Sequence, residues 1–235
     1  MFFPRAIAFA LALGAAVPAV QAADQTATYD FYVSGIKVGT MSLATQEGAR
    51  DYGAQARINA AGIIGALLTF SFDGTSKGTI KGGAPVPMLF EAVSDSPKGR
   101  RTTRIDWKNG VPTKVVIDPP RDHDPDPKTQ GGTLDPIAAG FALLRDGPEA
   151  RMCATSVDLF DGSRRSRLRL GDRTATEDGF ACAGTYARLE GEPHSLSSQR
   201  EFPFTLYFSA RDGTAQLRRI QTKTSFGLAT LERRS

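Results

Sequence analysis

Histidine and cysteine are scarce in this 235-residue chain, which has two of each, one tryptophan and four methionines. With only His123 and His194, imidazole chemistry has little to draw on. No Gly-x-Ser-x-Gly elbow and no Ser-x-x-Lys pair accompanies the serines around His194. No glycine-rich loop opens a helix in the way that cradles a phosphate. Arg121-Asp122-His123-Asp124-Pro125-Asp126 gathers three carboxylates and an imidazole. Its prolines fit neither the tight glycine turn of a calcium loop nor the spaced ligands of a zinc site, so it reads as a solvated acidic loop. No catalytic residue, no metal and no cofactor is expected, and the chain reads as a non-enzyme. A hydrolase using His123 or His194 ranks last among the alternatives.

Charge of one sign is also in short supply. Twenty-nine Lys and Arg face 25 Asp and Glu, a formal surplus of +4. That balance does not argue for nucleic acid. Long apolar runs are absent but for one. Ala6–Val17 follows the single charge of Arg5 and ends at Pro18, and Val20-Gln21-Ala22 fits the small-x-small rule for cleavage. The run is shorter than the ~20 residues that span a bilayer. Residues 1–22 are therefore expected to be a signal peptide cleaved after Ala22. The mature protein, 23–235, is expected to be soluble and periplasmic, with no membrane-spanning segment. Its length suits one β-rich domain and buries a core without metal.

Two cysteines in an oxidising compartment point to one structural disulfide, Cys153–Cys182. They are too far apart for a Cys-x-x-Cys redox pair. Closing a loop of about 30 residues would contribute roughly 3–4 kcal/mol in the chain-entropy model.

What the chain has in quantity is period-two alternation, the mark of strands with one covered face. Ala27, Tyr29, Phe31 and Val33 share one face, and the apolar parity of the next strand switches near Gly39, as at a bulge. Tyr52, Ala54, Ala56, Ile58 and Ala60 line another strand. Gly62–Leu68 reads as a short helix or buried turn, Gly82–Pro87 as a loop and Met88–Ser94 as a strand. Asn109-Gly110 joins Thr103–Lys108 to Val111–Ile117 as a type I′ hairpin. One helix is marked, with Asp135 as cap, Pro136 at the first position and Gly147-Pro148 as the stop. Beyond it strands run Ala154–Phe160, Arg164–Leu170, Gly184–Leu189, Phe202–Ser209 and Leu217–Leu231. Ten or so antiparallel strands with short turns predict a mainly β fold, a sheet that curls to hide its edges.

Within Ser163–Leu170, Arg165, Arg167 and Arg169 project as a row while Leu168 and Leu170 face the other way. Guanidiniums in a row suit bidentate contact with phosphates such as lipid headgroups, so these three are the candidate ligand-binding residues. Neighbouring carboxylates on an exposed face would neutralise the same row. Lys98, Arg100, Arg101 and Arg104 form a second basic cluster with the same two readings. Phe202, Phe204, Leu206 and Phe208 line one face of a strand, and a curled sheet with such a face either fills its core or encloses an apolar cavity.

Several segments in order resemble a family of bacterial periplasmic proteins, a domain of unknown function. They are Tyr29-Asp30-Phe31 with Gly35 and Gly39, Thr133-Leu134-Asp135-Pro136-Ile137, Asp161-Gly162-Ser163-Arg164-Arg165 and Ile220–Gly227, with the two cysteines bracketing the Asp161-Gly162 hairpin. That family is similar in architecture to the LolA and LolB lipoprotein carriers. The resemblance implies an unclosed barrel of antiparallel sheet around a central α-helix, and supplies no catalytic residue. The leading expectation is a periplasmic protein that binds or carries a lipid, a lipoprotein acyl chain or another apolar ligand and supports envelope integrity. The alternative is a structural module that docks another envelope protein.

Overall fold

The computed structural model describes residues 23–60, 70–120, 124–191 and 199–234. The signal peptide, the apolar stretch at 62–68, His123 and His194 lie outside the described residues. Seven strands precede the helix: β1 (Ala23–Val33), β2 (Ile36–Glu47), β3 (Asp51–Ala60), β4 (Ser71–Lys81), β5 (Ala84–Ser96), β6 (Gly99–Lys108) and β7 (Val111–Asp118). The helix α1 spans Pro136–Leu144. Seven follow it: β8 (Gly147–Pro148), β9 (Ser156–Phe160), β10 (Arg165–Thr176), β11 (Gly179–Glu190), β12 (Glu201–Arg211), β13 (Thr214–Thr224) and β14 (Gly227–Arg233).

All but β8 form one path, β7-β6-β5-β4-β3-β2-β1-β14-β13-β12-β11-β10-β9, and every neighbouring pair is antiparallel. The two halves of the chain are meanders, joined because β1 pairs with β14. The sheet is curled but not closed, and its free ends are β7 and β9. A strap before α1 occupies this seam. The Gly132 N–H donates to the Gly110 carbonyl, Leu134 donates to Asp158, and Phe160 donates back to Leu134, each at 2.8 Å. The edge of β9 thus has a partner for its backbone groups, which an open edge lacks.

The alternation is confirmed strand by strand. Ala27 and Tyr29 are buried, and the bulge expected at Gly39 lies opposite Phe31 and Tyr32. Asn109 and Gly110 have the positive φ values of the expected turn, 54° and 76°. The helix begins as predicted: Asp135 Oδ1 accepts from the Ile137 and Ala138 N–H groups at 2.9 and 2.8 Å. Helix α1 packs against β3, β4, β5 and β9, and two apolar clusters meet it. Ile137, Ala138 and Phe141 join Tyr52, Phe90 and Trp107 of the N-terminal half. Leu143 joins Phe180, Leu206, Phe208 and the disulfide of the C-terminal half. Phe141 stacks on Tyr52 with ring centroids 4.9 Å apart.

Three expectations need correction. Fourteen strands are described, not ten. The segment Leu217–Leu231 is not one strand but β13 and β14, turned at Ser225-Phe226; an aromatic at a two-residue tip carries no turn signal. The loop expected at Gly82–Pro87 is shorter, because β5 starts at Ala84. Pro85 and Pro87 are tolerated there because β6 pairs with β5 only from Leu89 onward, leaving an edge where a missing N–H costs nothing.

Candidate functional site

The seam between β9 and the β4–β5 turn opens into a cleft of about 700 Å³. Its apolar walls include Pro85, Leu134, Ala142, Pro148, Met152 and Val157. Three guanidiniums reach it, from Arg145 at the end of α1, Arg151 in the 3-10 turn after β8, and Arg167 on β10. Asp158 is the carboxylate among its lining residues.

Arg145 and Arg151 converge on Gly83. Arg145 Nη2 donates to the Gly83 carbonyl at 3.5 Å, and Arg151 Nη1 stands 3.1 Å from where a Cβ on Gly83 would sit. Arg145 also lies over the Phe141 ring, 4.2 Å from its centroid, with Nε 3.2 Å from Glu47 Oε2. Its Nη1 is buried and has no acceptor among the described residues. Burial, and the charge of Arg151, hold the Arg145 guanidinium below its ordinary pKa, against the opposing pull of Glu47. A guanidinium stays protonated regardless, so the electrostatic deficit is one of acceptors. Arg151 is exposed and has no carboxylate partner among the described residues. A carboxylate or phosphate placed between the two would meet donors in the forked geometry that favours bidentate binding.

The segment that carries Arg151 and Met152 is pinned from below. Cys153 and Cys182 form the expected disulfide, with Cα atoms 5.1 Å apart, both buried against Phe180 and Phe208. β8 pairs with the start of β13. Asp146, between α1 and β8, takes Arg233 through both carboxylate oxygens at 2.5 and 3.1 Å, and Gln216 at 2.9 Å. Both ends of the short connection are therefore fixed.

The predicted arginine row is present but not equivalent along its length. Arg165, Arg167 and Arg169 alternate with inward Leu168 and Leu170 as expected. Asp158 on β9 then collects two of them. Arg165 donates from Nε and Nη2 to Oδ2 at 3.2 and 2.7 Å. Arg167 donates from Nε to Oδ1 at 2.6 Å and from Nη2 to Oδ2 at 3.0 Å. These bonds, Arg167's first, hold the Asp158 carboxyl below its ordinary pKa. Arg167 still lines the cleft, whereas Arg169 is exposed in a groove on the outer face with Thr205 and Lys223. In the second basic cluster, Arg104 is taken by Glu91 at 2.5 Å and Asp106 at 2.8 Å. Arg145 and Arg151 had no sequence signal of their own; their meeting depends on the turn that α1 makes into β8.

Residues 28–234 match the family described as a protein of unknown function (DUF3108). The chain belongs to that family. No curated protein matches the DUF3108 chain. It is similar to a solved structure titled as a beta-barrel-like protein of the domain of unknown function DUF1849 from Brucella abortus, at 15% identity and a TM-score of 0.51. The alignment covers 92% of this chain and 98% of that one. This likeness supports the barrel-like fold of the DUF3108 chain and reaches no further. No helix among its described residues is long and apolar enough to cross a membrane.

Proposed function

We propose that the protein is a non-enzymatic binding protein of the bacterial envelope that holds an anionic amphiphile in the seam cleft. The acidic headgroup lies between Arg145 and Arg151, and the alkyl portion lies along Leu134, Met152 and Val157. One observation carries this reading: a buried guanidinium nitrogen of Arg145 with no acceptor among the described residues, in an apolar-walled cleft beside a second guanidinium with no carboxylate among them. Buried donors normally have partners, and a headgroup oxygen supplies one. The signal-like leader and the cysteine pair support a periplasmic setting. In that setting the ligand class includes lipids and lipoprotein acyl chains.

Titration of the mature protein with dodecyl phosphate and with dodecanol tests the reading. Saturable binding of the phosphate at least about tenfold tighter than the alcohol is expected, a difference of ~1.4 kcal/mol. Arg151→Glu should remove that preference while leaving the fold intact, because Arg151 is exposed. Equal affinity for the two probes, or a phosphate affinity indifferent to Arg151→Glu, would overturn it.

A further inference from the structure

Seven large hydrophobic side chains are exposed among the described residues, and five of them, Ile36, Phe70, Leu189, Phe226 and Leu228, cluster at one end of the strands. That end carries the β1–β2, β3–β4, β11–β12 and β13–β14 connections. The opposite end turns through Gly82-Gly83, Asn109-Gly110 and Asp212-Gly213, with no exposed large hydrophobic in those turns. Random scatter of surface hydrophobics needs no explanation, but three on adjoining hairpin tips, with two more at the same end of the sheet, do.

The densest part is the pair of neighbouring tips from β1–β2 and β13–β14. Phe226 is 79% exposed, Ile36 58% and Leu228 45%. This exposure is built into the hairpins. The Ser34 N–H donates to the Leu228 carbonyl at 2.9 Å, and Ser34 Oγ donates to the Phe226 carbonyl at 2.8 Å. Thr224 Oγ1 closes the second tip by donating to the Gly227 carbonyl at 2.8 Å and accepting from the Phe226 N–H at 3.1 Å. Gly227 has φ +103°, a backbone conformation that favours glycine, with Ser34 Oγ close beside it. Two tips are locked to each other so that an aromatic and two aliphatics point outward together.

At the two tips themselves the nearest charges are mostly positive, whereas Glu190 and Glu201 stand at the β11–β12 end of the same rim. No acidic residue occurs between Phe31 and Gln46 or between Gly213 and Leu231. Lys37 and Lys223 flank the apolar tips, and both are exposed. Lys37 reaches Asp30 at 2.7 Å, but the same carboxylate already takes Arg234 at 2.6 Å, leaving positive charge in surplus. Lys98 and Arg100 stand at the β5–β6 turn at the same end, with Asp95 opposite Arg100.

We propose that this rim docks on an anionic lipid bilayer, with Phe226, Ile36 and Leu228 entering the headgroup–acyl boundary and Lys37 and Lys223 meeting lipid phosphates. Apolar anchors flanked by cations match the layered chemistry of such a surface. A second copy of the chain is a poorer partner, because a two-fold contact through this rim would set lysines against lysines. The proposal is independent of the seam cleft, which lies beside the β4–β5 turn at the other end.

The test is flotation of the mature protein with vesicles of phosphatidylethanolamine and phosphatidylglycerol, and with vesicles of phosphatidylcholine alone. Binding to the anionic vesicles and little to the neutral ones is expected. Ile36→Ser, Phe226→Ser and Leu228→Ser together should lower the bound fraction by about tenfold or more. Lys37→Glu with Lys223→Glu should abolish the preference for anionic vesicles. All five side chains are exposed, so an unchanged thermal midpoint verifies folding. The triple-serine variant should bind dodecyl phosphate like the wild type, which separates this test from that of the cleft. Equal flotation of the triple-serine variant overturns the proposal. So does a concentration-dependent dimer in sedimentation that Phe226→Ser dissolves.

Discussion

Arg165 and Arg167 on β10, and Arg145 and Arg151 around the α1–β8 turn, are two pairs of guanidiniums at one seam, and they differ in what faces them. The first pair shares Asp158, which is only 14% exposed, through four hydrogen bonds. In the second pair Arg145 has a backbone carbonyl, an ion pair to Glu47 at 3.2 Å and an orphaned nitrogen, and Arg151 has no carboxylate among the described residues. A row of arginines in a sequence is thus a poor guide to available positive charge. What decides availability is the supply of acceptors, and that supply is a property of the fold.

The largest expected effect separates the pairs by their supports. The Asp158 pair stands on sheet hydrogen bonds between β9 and β10, whereas the segment carrying Arg151 depends on the disulfide. Cys153→Ser with Cys182→Ser should cost roughly 3–4 kcal/mol in urea unfolding at a loop of about 30 residues. Protease cleavage should become faster near Arg151 before it does so near Asp158. Equal protection of the two segments in the double variant would show that β8 and Asp146 alone hold the cleft wall.

A carboxylate without a cation extends the comparison. Asp135, fully buried at the head of α1, accepts from two helix N–H groups and from Ser76 Oγ at 2.7 Å, and Ser76 in turn meets the Tyr52 hydroxyl at 2.9 Å. Burial pushes its pKa up to about 6, against the pull of these hydrogen bonds. A folded-state value above the unfolded one means that the proton stabilises the fold. This contribution is complete below the ordinary aspartate pKa near 4 and is lost as pH rises through about 6. At ~1.4 kcal/mol per pH unit, Asp135→Asn should gain on the wild type by up to about 3 kcal/mol between pH 4 and pH 7. The amide keeps an oxygen for the helix and offers an N–H to Ser76, so the network survives the change. A difference in unfolding free energy that stays flat across this range would mean that the hydrogen bonds fully offset the burial.

The helix start was legible because Asp135-Pro136 acts locally, through capping and a fixed φ. So were most strands, because alternation reports which face is covered, and turns such as Asn109-Gly110, which need positive φ. The break between β13 and β14 was hidden because Ser225-Phe226 is held by Ser34, nearly 200 residues away in sequence. The cleft was hidden for the same reason. Arg151 gains its significance from Gly83, brought beside it by the curl of the whole sheet. Arg165 and Arg167 were visible as a row, but their neutralisation by Asp158 depends on β9 pairing in one register.

Asp158→Asn would break the comparison most directly, with a smaller cost in stability. Breaking a fully buried pair by removing one partner typically costs 3–5 kcal/mol. Here Arg165 and Arg167 are 21% and 39% exposed, and water can reach them once the carboxylate is gone, so a loss of about 2 kcal/mol is the discounted expectation. Because Asp158 has a lowered pKa, its contribution is present above the ordinary aspartate value and lost as pH falls through the folded one. The variant's deficit should therefore vanish in strong acid, the opposite slope to that of Asp135. Freed of their acceptor, Arg165 and Arg167 should behave as Arg145 and Arg151 are proposed to, and the protein should gain affinity for dodecyl phosphate. Arg169→Ala, at an exposed position without an ion pair among the described residues, is the matched control and should change neither property. Asp158→Asn binding the phosphate no better than wild type would show that a missing acceptor is not enough, and that the apolar wall beside Arg145 decides which guanidiniums take a ligand.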